Sequence, residues 1–280
     1  MSTIAIFGAA GNMGTRVSRA LAAGGAHRLL YVEGTEAGVE KLRARGDVAT
    51  EAVAACGEAD VVVLALPDVL IGRVAREIVP RLLPATLVMT LDPAAAAAGR
   101  LPARSDVSYF VTHPAHPPVF NDETGMAARR DFFGSGLARQ AIVCALMQGP
   151  EEDYARGEGI AAEMFGPVLR AHRVTVEQMA ILEPVLSETV AATCLSVIRE
   201  ALDEAAARGV PFEAARDFLM GHLNVELAIL FNEIDWNFSA GAQQAIAEAK
   251  KVLFKEDWKR VFDEREWAAS VWRISGGDAG

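Results

Sequence analysis

Ile4-Ala5-Ile6-Phe7-Gly8-Ala9-Ala10-Gly11-Asn12-Met13-Gly14, then a helical run, then Leu29-Leu30-Tyr31-Val32-Glu33: this stretch decides how the first half of the chain is read. A short apolar run leads into Gly-x-x-Gly-x-x-Gly. A second apolar run ends on a carboxylate about 20 residues further on, the layout of a dinucleotide site. Glycine lets the chain turn sharply and lets backbone approach a pyrophosphate closely. The helix that opens after the turn aims unpaired N–H groups at negative charge. The cofactor residues are therefore Gly8, Ala10 (in place of the second glycine of Gly-x-Gly), Gly11, Asn12, Met13 and Gly14. Glu33 is placed to accept hydrogen bonds from ribose hydroxyls and to repel a 2′-phosphate, and no Arg or Lys follows until Lys41. That pattern favours NAD over NADP. A bare turn with nothing bound would need none of these flanking features.

Working outward, strand and helix patterns alternate. Residues 4–8, 28–33, 59–66, 86–91, 107–111 and 139–147 read as strands, the last of these closing the sheet. Residues 12–23, 37–45 and 71–83 have helical spacing, and the alanine run at 94–98 is a loop or a single turn. Continuous Val/Ile/Leu runs mean strands buried on both faces, hence a parallel sheet. Alternating units mean a doubly wound Rossmann fold. From about Pro150 helical periodicity takes over: 151–165, a short extended link at 170–174, a long helix from a Thr175-Val176-Glu177-Gln178 capping box through 207, then 212–232 and 241–253. Pro184 should kink the long helix. The expected organisation is an α/β cofactor domain over 1–149 and an all-α substrate and dimerisation domain over 150–280.

The composition excludes several classes. The chain has 280 residues, half of them apolar, and a net charge of −10. That charge argues against affinity for nucleic acid. No apolar run reads as a membrane span, and no secretion signal precedes the first strand. Cys56, Cys144 and Cys194 are too scattered for a disulfide framework or a zinc knot, which fits a cytoplasmic protein. The apolar C-terminal helices point to a homodimer.

Ligands in such sheets bind beyond the carboxyl ends of the strands. Pro67 and Asp68 follow one central strand and should lie beside the nicotinamide ribose. Another strand runs into Thr112-His113-Pro114-Ala115-His116-Pro117-Pro118, two imidazoles in a proline-stiffened loop. They read as a metal ligand or an acid/base pair, or as ordinary loop histidines. Glu177, Glu183 and Glu188 lie on the kinked helix, and His222, Glu226 and Glu233 on the next long one; either set could complete a site or be solvated. No lysine occurs between Lys41 and Lys250, so a helical lysine proton shuttle is closed unless Lys250 or Lys251 folds back. The proton and the developing negative charge fall to His, Glu or a divalent metal ion.

These segments, with Ala145-Leu146-Met147-Gln148-Gly149-Pro150-Glu151-Glu152-Asp153-Tyr154 and Phe254-Lys255-Glu256-Asp257-Trp258, resemble NAD-dependent oxidoreductases with a phosphogluconate-dehydrogenase-like C-terminal domain. Within that group they resemble the D-apionate oxidoisomerases, relatives of ketol-acid reductoisomerases. The resemblance implies oxidation of a branched sugar acid with NAD and a metal-assisted rearrangement of its carbon skeleton. It places the metal on His113 and Glu188, with Glu188 thereby part of the catalytic set. Of the residues near that pair, His116 is the best placed acid/base. Ala115 stands where the family often carries Cys. A hydroxyacid dehydrogenase without rearrangement and a non-catalytic NAD sensor are the alternatives.

Overall fold

The computed structural model describes residues 1–277. The chain divides into two compact units: Met1–Pro184 together with the segment from Trp267 onward, and Val185–Glu266.

The first unit is built on a seven-stranded sheet. In chain order its elements are β1 (Thr3–Phe7), α1 (Asn12–Gly24), β2 (Arg28–Val32), α2 (Glu36–Ala44), α3 (Ala52–Glu58), β3 (Val61–Leu64), α4 (Asp68–Ile78), β4 (Leu87–Thr90), α5 (Ala94–Ala97), β5 (Ser108–Pro114), α6 (Met126–Arg129), β6 (Gln140–Gln148), α7 (Glu151–Met164), β7 (Val168–Arg173) and α8 (Val176–Ala180). The strand order is β2-β1-β3-β4-β5-β6-β7. Side chains alternate across a strand. Ile4, Ile6, Val61 and Val63 therefore pack with Val17 and Leu21 of α1 on one face. Ala5, Phe7, Val62 and Leu64 pack with Ala55 of α3 and Ile71 and Ala75 of α4 on the other. Burial on both faces is what the continuous apolar runs required.

β1 to β5 are parallel, so Gly8, Glu33, Pro67 and Asp92 all leave the sheet at one edge. Two finer features differ from the sequence reading. β6 runs antiparallel to β5, because the link between them carries only the single turn of α6 and no helix long enough to cross the sheet. β6 is also not the last strand. β7 adds a further edge, and five of its six residues are exposed, so no apolar run announced it.

The capping box is present: the Thr175 hydroxyl accepts from the Gln178 N–H, and the Gln178 side chain accepts from the Thr175 N–H. The helix it opens departs from α-helical geometry around Pro184. It continues as a π-helix over Ile181–Ala192 and returns to α-helix at α9 (Thr193–Ala207). Proline has no N–H for the α-type bond, and the wider turn accommodates the gap. By length and composition the run Val176–Ala207 is sufficient to cross a membrane, a property that reading apolar stretches alone did not register. The second unit holds α9, α10 (Phe212–Leu230) and α11 (Ala240–Leu253); α12 (Glu264–Ile274) begins in it and ends in the first unit. Across α9, α10 and α11 only Leu202 and Ala228 are buried. The composition change at residue 150 thus precedes the boundary between the units, because α7, β7 and α8 pack on the sheet.

The residues between His116 and Gln140 form a loop anchored by Asp131, which is buried. Its carboxylate accepts from the Ser135 N–H at 2.7 Å and hydroxyl at 2.6 Å, from Leu137 N–H at 2.9 Å and from Ala138 N–H at 3.1 Å. Burial opposes its charge, but the bonds from Ser135, Leu137 and Ala138 outweigh burial and hold its pKa below the ordinary 3.8. A depressed pKa contributes stability that is complete above about pH 4 and is lost as pH falls through the folded value. Asp131→Asn turns an amide NH2 toward these donors. It should lower the unfolding free energy by about 2 kcal/mol at neutral pH and flatten the loss of stability below about pH 4. Urea denaturation across a pH series measures both; an unchanged midpoint refutes the anchor.

Candidate active site

The turn after β1 is as tight as the glycine pattern required. Gly8 sits at φ +80°, and a Cβ at Gly14 would collide with the Gly8 carbonyl. Helix α1 therefore starts against the end of β1, and no side chain caps its N-terminus. Its first N–H groups are left for an anion. The Glu33 carboxylate accepts from the Ala10 N–H and packs on Gly38 of α2. It thereby ties the β2 end to the glycine turn.

Two cavities meet over this turn. One, of about 370 Å³, is lined by Gly8, Glu33, Gly34, Thr35 and Arg73. The other, of about 480 Å³, is lined by Asn12, Met13, Asp68, Asp92, His113, His116 and Phe133. They share Gly11 and Ala65 to Pro67. An extended two-lobed groove over an uncapped helix N-terminus fits a dinucleotide, with the adenosine end at Glu33 and the reactive end at the histidines.

At the second lobe ligand atoms of Asp92, His113 and Glu183 lie within 4.8 Å of one another, each residue half-buried. Two carboxylates and one imidazole are a donor set for a divalent cation. Asp92 also accepts from the Ala94 N–H at 2.7 Å. Asp68, beside it, is pushed up to about 6 by burial and then by the Asp92 carboxylate, with which it shares a hydrogen bond. Burial drives the His113 pKa down to about 4, so the ring is neutral and able to ligate.

The hydrogen bonds of both histidines fix their protons. Nδ1 of His113 faces the Pro114 carbonyl at 2.8 Å, and Nδ1 of His116 faces the Phe133 carbonyl at 3.0 Å. A carbonyl only accepts, so each Nδ1 donates and each Nε2 keeps its lone pair. The rings sit edge to face with centroids 6.1 Å apart.

The structure thus brings together His113, His116, Pro67 and Asp68 with the glycine turn. It adds Asp92, which the sequence reading missed; the signal was an acid two residues past the end of the apolar strand β4, much as Glu33 follows β2. Glu183 joins the cluster. Glu188, which the resemblance pairs with His113, is exposed, belongs to the second unit and is not one of the three clustered residues. His222 stacks on Phe218 of its own helix, with Nδ1 donating to the Phe218 carbonyl. Glu226 is half-buried and Glu233 exposed, and within α10 only Ala228 is buried.

Residues 121–275 match the family described as phosphogluconate dehydrogenase (decarboxylating) C-terminal, and residues 3–92 that described as NADP oxidoreductase, coenzyme F420-dependent. A D-apionate oxidoisomerase of Cupriavidus necator is 52% identical over 275 residues, covering 97% of this chain and 99% of its own. The chain belongs to the D-apionate oxidoisomerase family. A semialdehyde dehydrogenase NAD-binding protein of Cupriavidus necator, solved with calcium and NAD, superposes with a TM-score of 0.95 at 51% identity over 98% of this chain and 99% of that one. An NADH-preferring ketol-acid reductoisomerase from an uncultured archaeon shares the fold, with a TM-score of 0.69 at 16% identity over 98% and 82%.

The collision at residue 14 gives a direct check of the turn. Gly14→Ala should destabilise the fold by about 2–3 kcal/mol, read as a lowered thermal midpoint. An unshifted midpoint would mean that the turn tolerates a Cβ.

Proposed function

We propose that the chain is an NAD-dependent D-apionate oxidoisomerase that oxidises a branched sugar acid and rearranges its carbon skeleton. The observation that supports this most directly is the Asp92–His113–Glu183 cluster beside His116 at the reactive end of the dinucleotide groove. Gly8, Ala10, Gly11, Asn12, Met13 and Gly14 hold the pyrophosphate, Glu33 the adenosine ribose, and Pro67 and Asp68 flank the nicotinamide ribose. Glu33 leaves no room for a 2′-phosphate without charge repulsion, which supports NAD. NAD, when bound, supplies the acceptor for the carbon-bound hydride.

Asp92, His113 and Glu183 would hold a divalent cation, with Glu183 taking the place that the resemblance gives to Glu188. Such a cation supplies Lewis acidity, which acidifies a hydroxyl and steadies negative charge on oxygen. Nε2 of His116 takes the proton of the hydroxyl whose carbon is oxidised. The Pro114 carbonyl orients the His113 ring, and the Asp68–Asp92 hydrogen bond orients the Asp92 carboxylate.

NADH formation from D-apionate and a panel of C4–C6 aldonates, with and without exhaustive chelation, tests the reading. D-apionate should be turned over and chelation should abolish turnover. Glu183→Gln should lower turnover by about 100-fold or more and weaken cation binding, with NAD affinity retained. Activity that survives chelation would make the enzyme a plain hydroxyacid dehydrogenase. NAD binding without turnover of any sugar acid would make it a sensor. Undiminished turnover by Glu183→Gln would return the ligand role to Glu188.

We also infer a homodimer. The support is the apolar surface of the second unit, where Phe218, Leu230, Phe231, Trp236 and Leu253 are all exposed. Sedimentation equilibrium should return twice the chain mass; a monomer at micromolar concentration would refute it. A cytoplasmic location is supported by three free cysteines, Cys56, Cys144 and Cys194.

A further inference from the structure

Helix α1 carries a cation that neither the glycine turn nor the carboxylate cluster uses. Nε, Nη1 and Nη2 of Arg16 are all buried, and none has a hydrogen-bond partner among the described residues. The guanidinium carbon lies 4.9 Å from the ring centroid of Phe133 and 5.3 Å from that of Phe165. A cation stacked against two phenyl rings gains some attraction, but unmade N–H bonds on every nitrogen remain costly. An apolar side chain would pack the same space without that cost. Unsatisfied buried groups of this kind are uncommon and call for an explanation. Burial lowers the Arg16 pKa, and the charge of Asp131 acts in the opposite sense.

Phe133 gives the explanation. It sits in the loop that Asp131 anchors, and it touches the site twice. Its ring lies 5.1 Å from the His116 ring. Its carbonyl accepts the Nδ1 proton of His116. His116 itself has φ +61°, a left-handed conformation that is uncommon outside glycine and must be held by its surroundings. Free imidazole exchanges its proton between the two nitrogens; here one carbonyl decides which nitrogen keeps it.

We propose that Arg16 is a positioning residue for His116: by clamping the Phe133 ring it holds the Phe133 carbonyl against Nδ1 and so keeps the lone pair on Nε2. The catalytic consequence rests on the assignment of His116 as the base. The tautomer itself does not, so the two can fail separately. Arg16 touches neither substrate nor cofactor in this scheme; it acts through Phe133.

The test is long-range nitrogen-15 NMR of the histidine rings in the full chain, at about pH 8. The variants are Arg16→Met, Arg16→Lys, Phe133→Leu and the Arg16→Met/Phe133→Leu double, with Arg19→Met, exposed on the same helix, as control. In the unmodified chain the proton of His116 is on Nδ1. Arg16→Met should populate the Nε2-protonated form and lower kcat about tenfold, with the Kd for NAD within about twofold. Arg16→Lys should restore part of both. Phe133→Leu should reproduce the tautomer shift, which also covers the case in which Arg16→Met does not fold. The double variant should be no worse than the worse single one, as members of one linkage require. Arg19→Met should change nothing. Arg16→Met and Phe133→Leu variants that keep the proton on Nδ1 would overturn the proposal, as would loss of stability or NAD affinity with the tautomer intact. If His116→Gln turns over normally while Arg16→Met still shifts the tautomer, the positioning link stands and only the base assignment falls.

Discussion

The Gly8 carbonyl fills the space where residue 14 would carry a Cβ. Much of the first unit follows from that close approach. It lets α1 begin directly on the end of β1, with its N–H groups uncapped and facing the groove. It brings Ala10 within reach of Glu33, which locks β2 to the turn. One helical turn beyond Asn12 it also delivers Arg16, on the same side of the helix, to Phe133. A single backbone contact thus sets the cofactor cradle and, through Arg16, reaches the loop that carries the active-site wall.

The reactive end has a different physical character. Asp68, Asp92 and Glu183 bring carboxylates together at the ends of β3, β4 and α8, beside two imidazoles. Burial first, and then the neighbouring Asp92 carboxylate, raises the proton affinity of Asp68. A bound cation would offset the charge gathered there. The anchored loop at 131–138 has the reverse arrangement: one carboxylate satisfied by four donors. Repulsion is concentrated where chemistry is proposed, and satisfaction where only rigidity is needed.

The two units also differ in where they place apolar residues. The sheet buries its Val, Ile and Leu on both faces. Helices α9, α10 and α11 bury almost none of theirs within the chain. Helix propensity and i, i+4 pairs such as Arg199–Asp203 and Arg208–Glu204 support the helices locally. These helices therefore depend less on the chain's own core than the strands do.

The sequence by itself determined the glycine turn, the parallel strands, the NAD-type carboxylate and the two loop histidines. Each depends on residues close in sequence or on an apolar period that one strand or helix displays alone. Only the tertiary structure decided that β6 reverses, that β7 joins the sheet, that Pro184 sits in a π-helix, and that Asp92 and Glu183 gather at His113. Those outcomes depend on which chain segments are neighbours across the sheet edge. Residues 92, 113 and 183 are far apart along the chain, and no local period encodes their convergence; it is fixed by the common direction of the strand ends and by where the long helix docks.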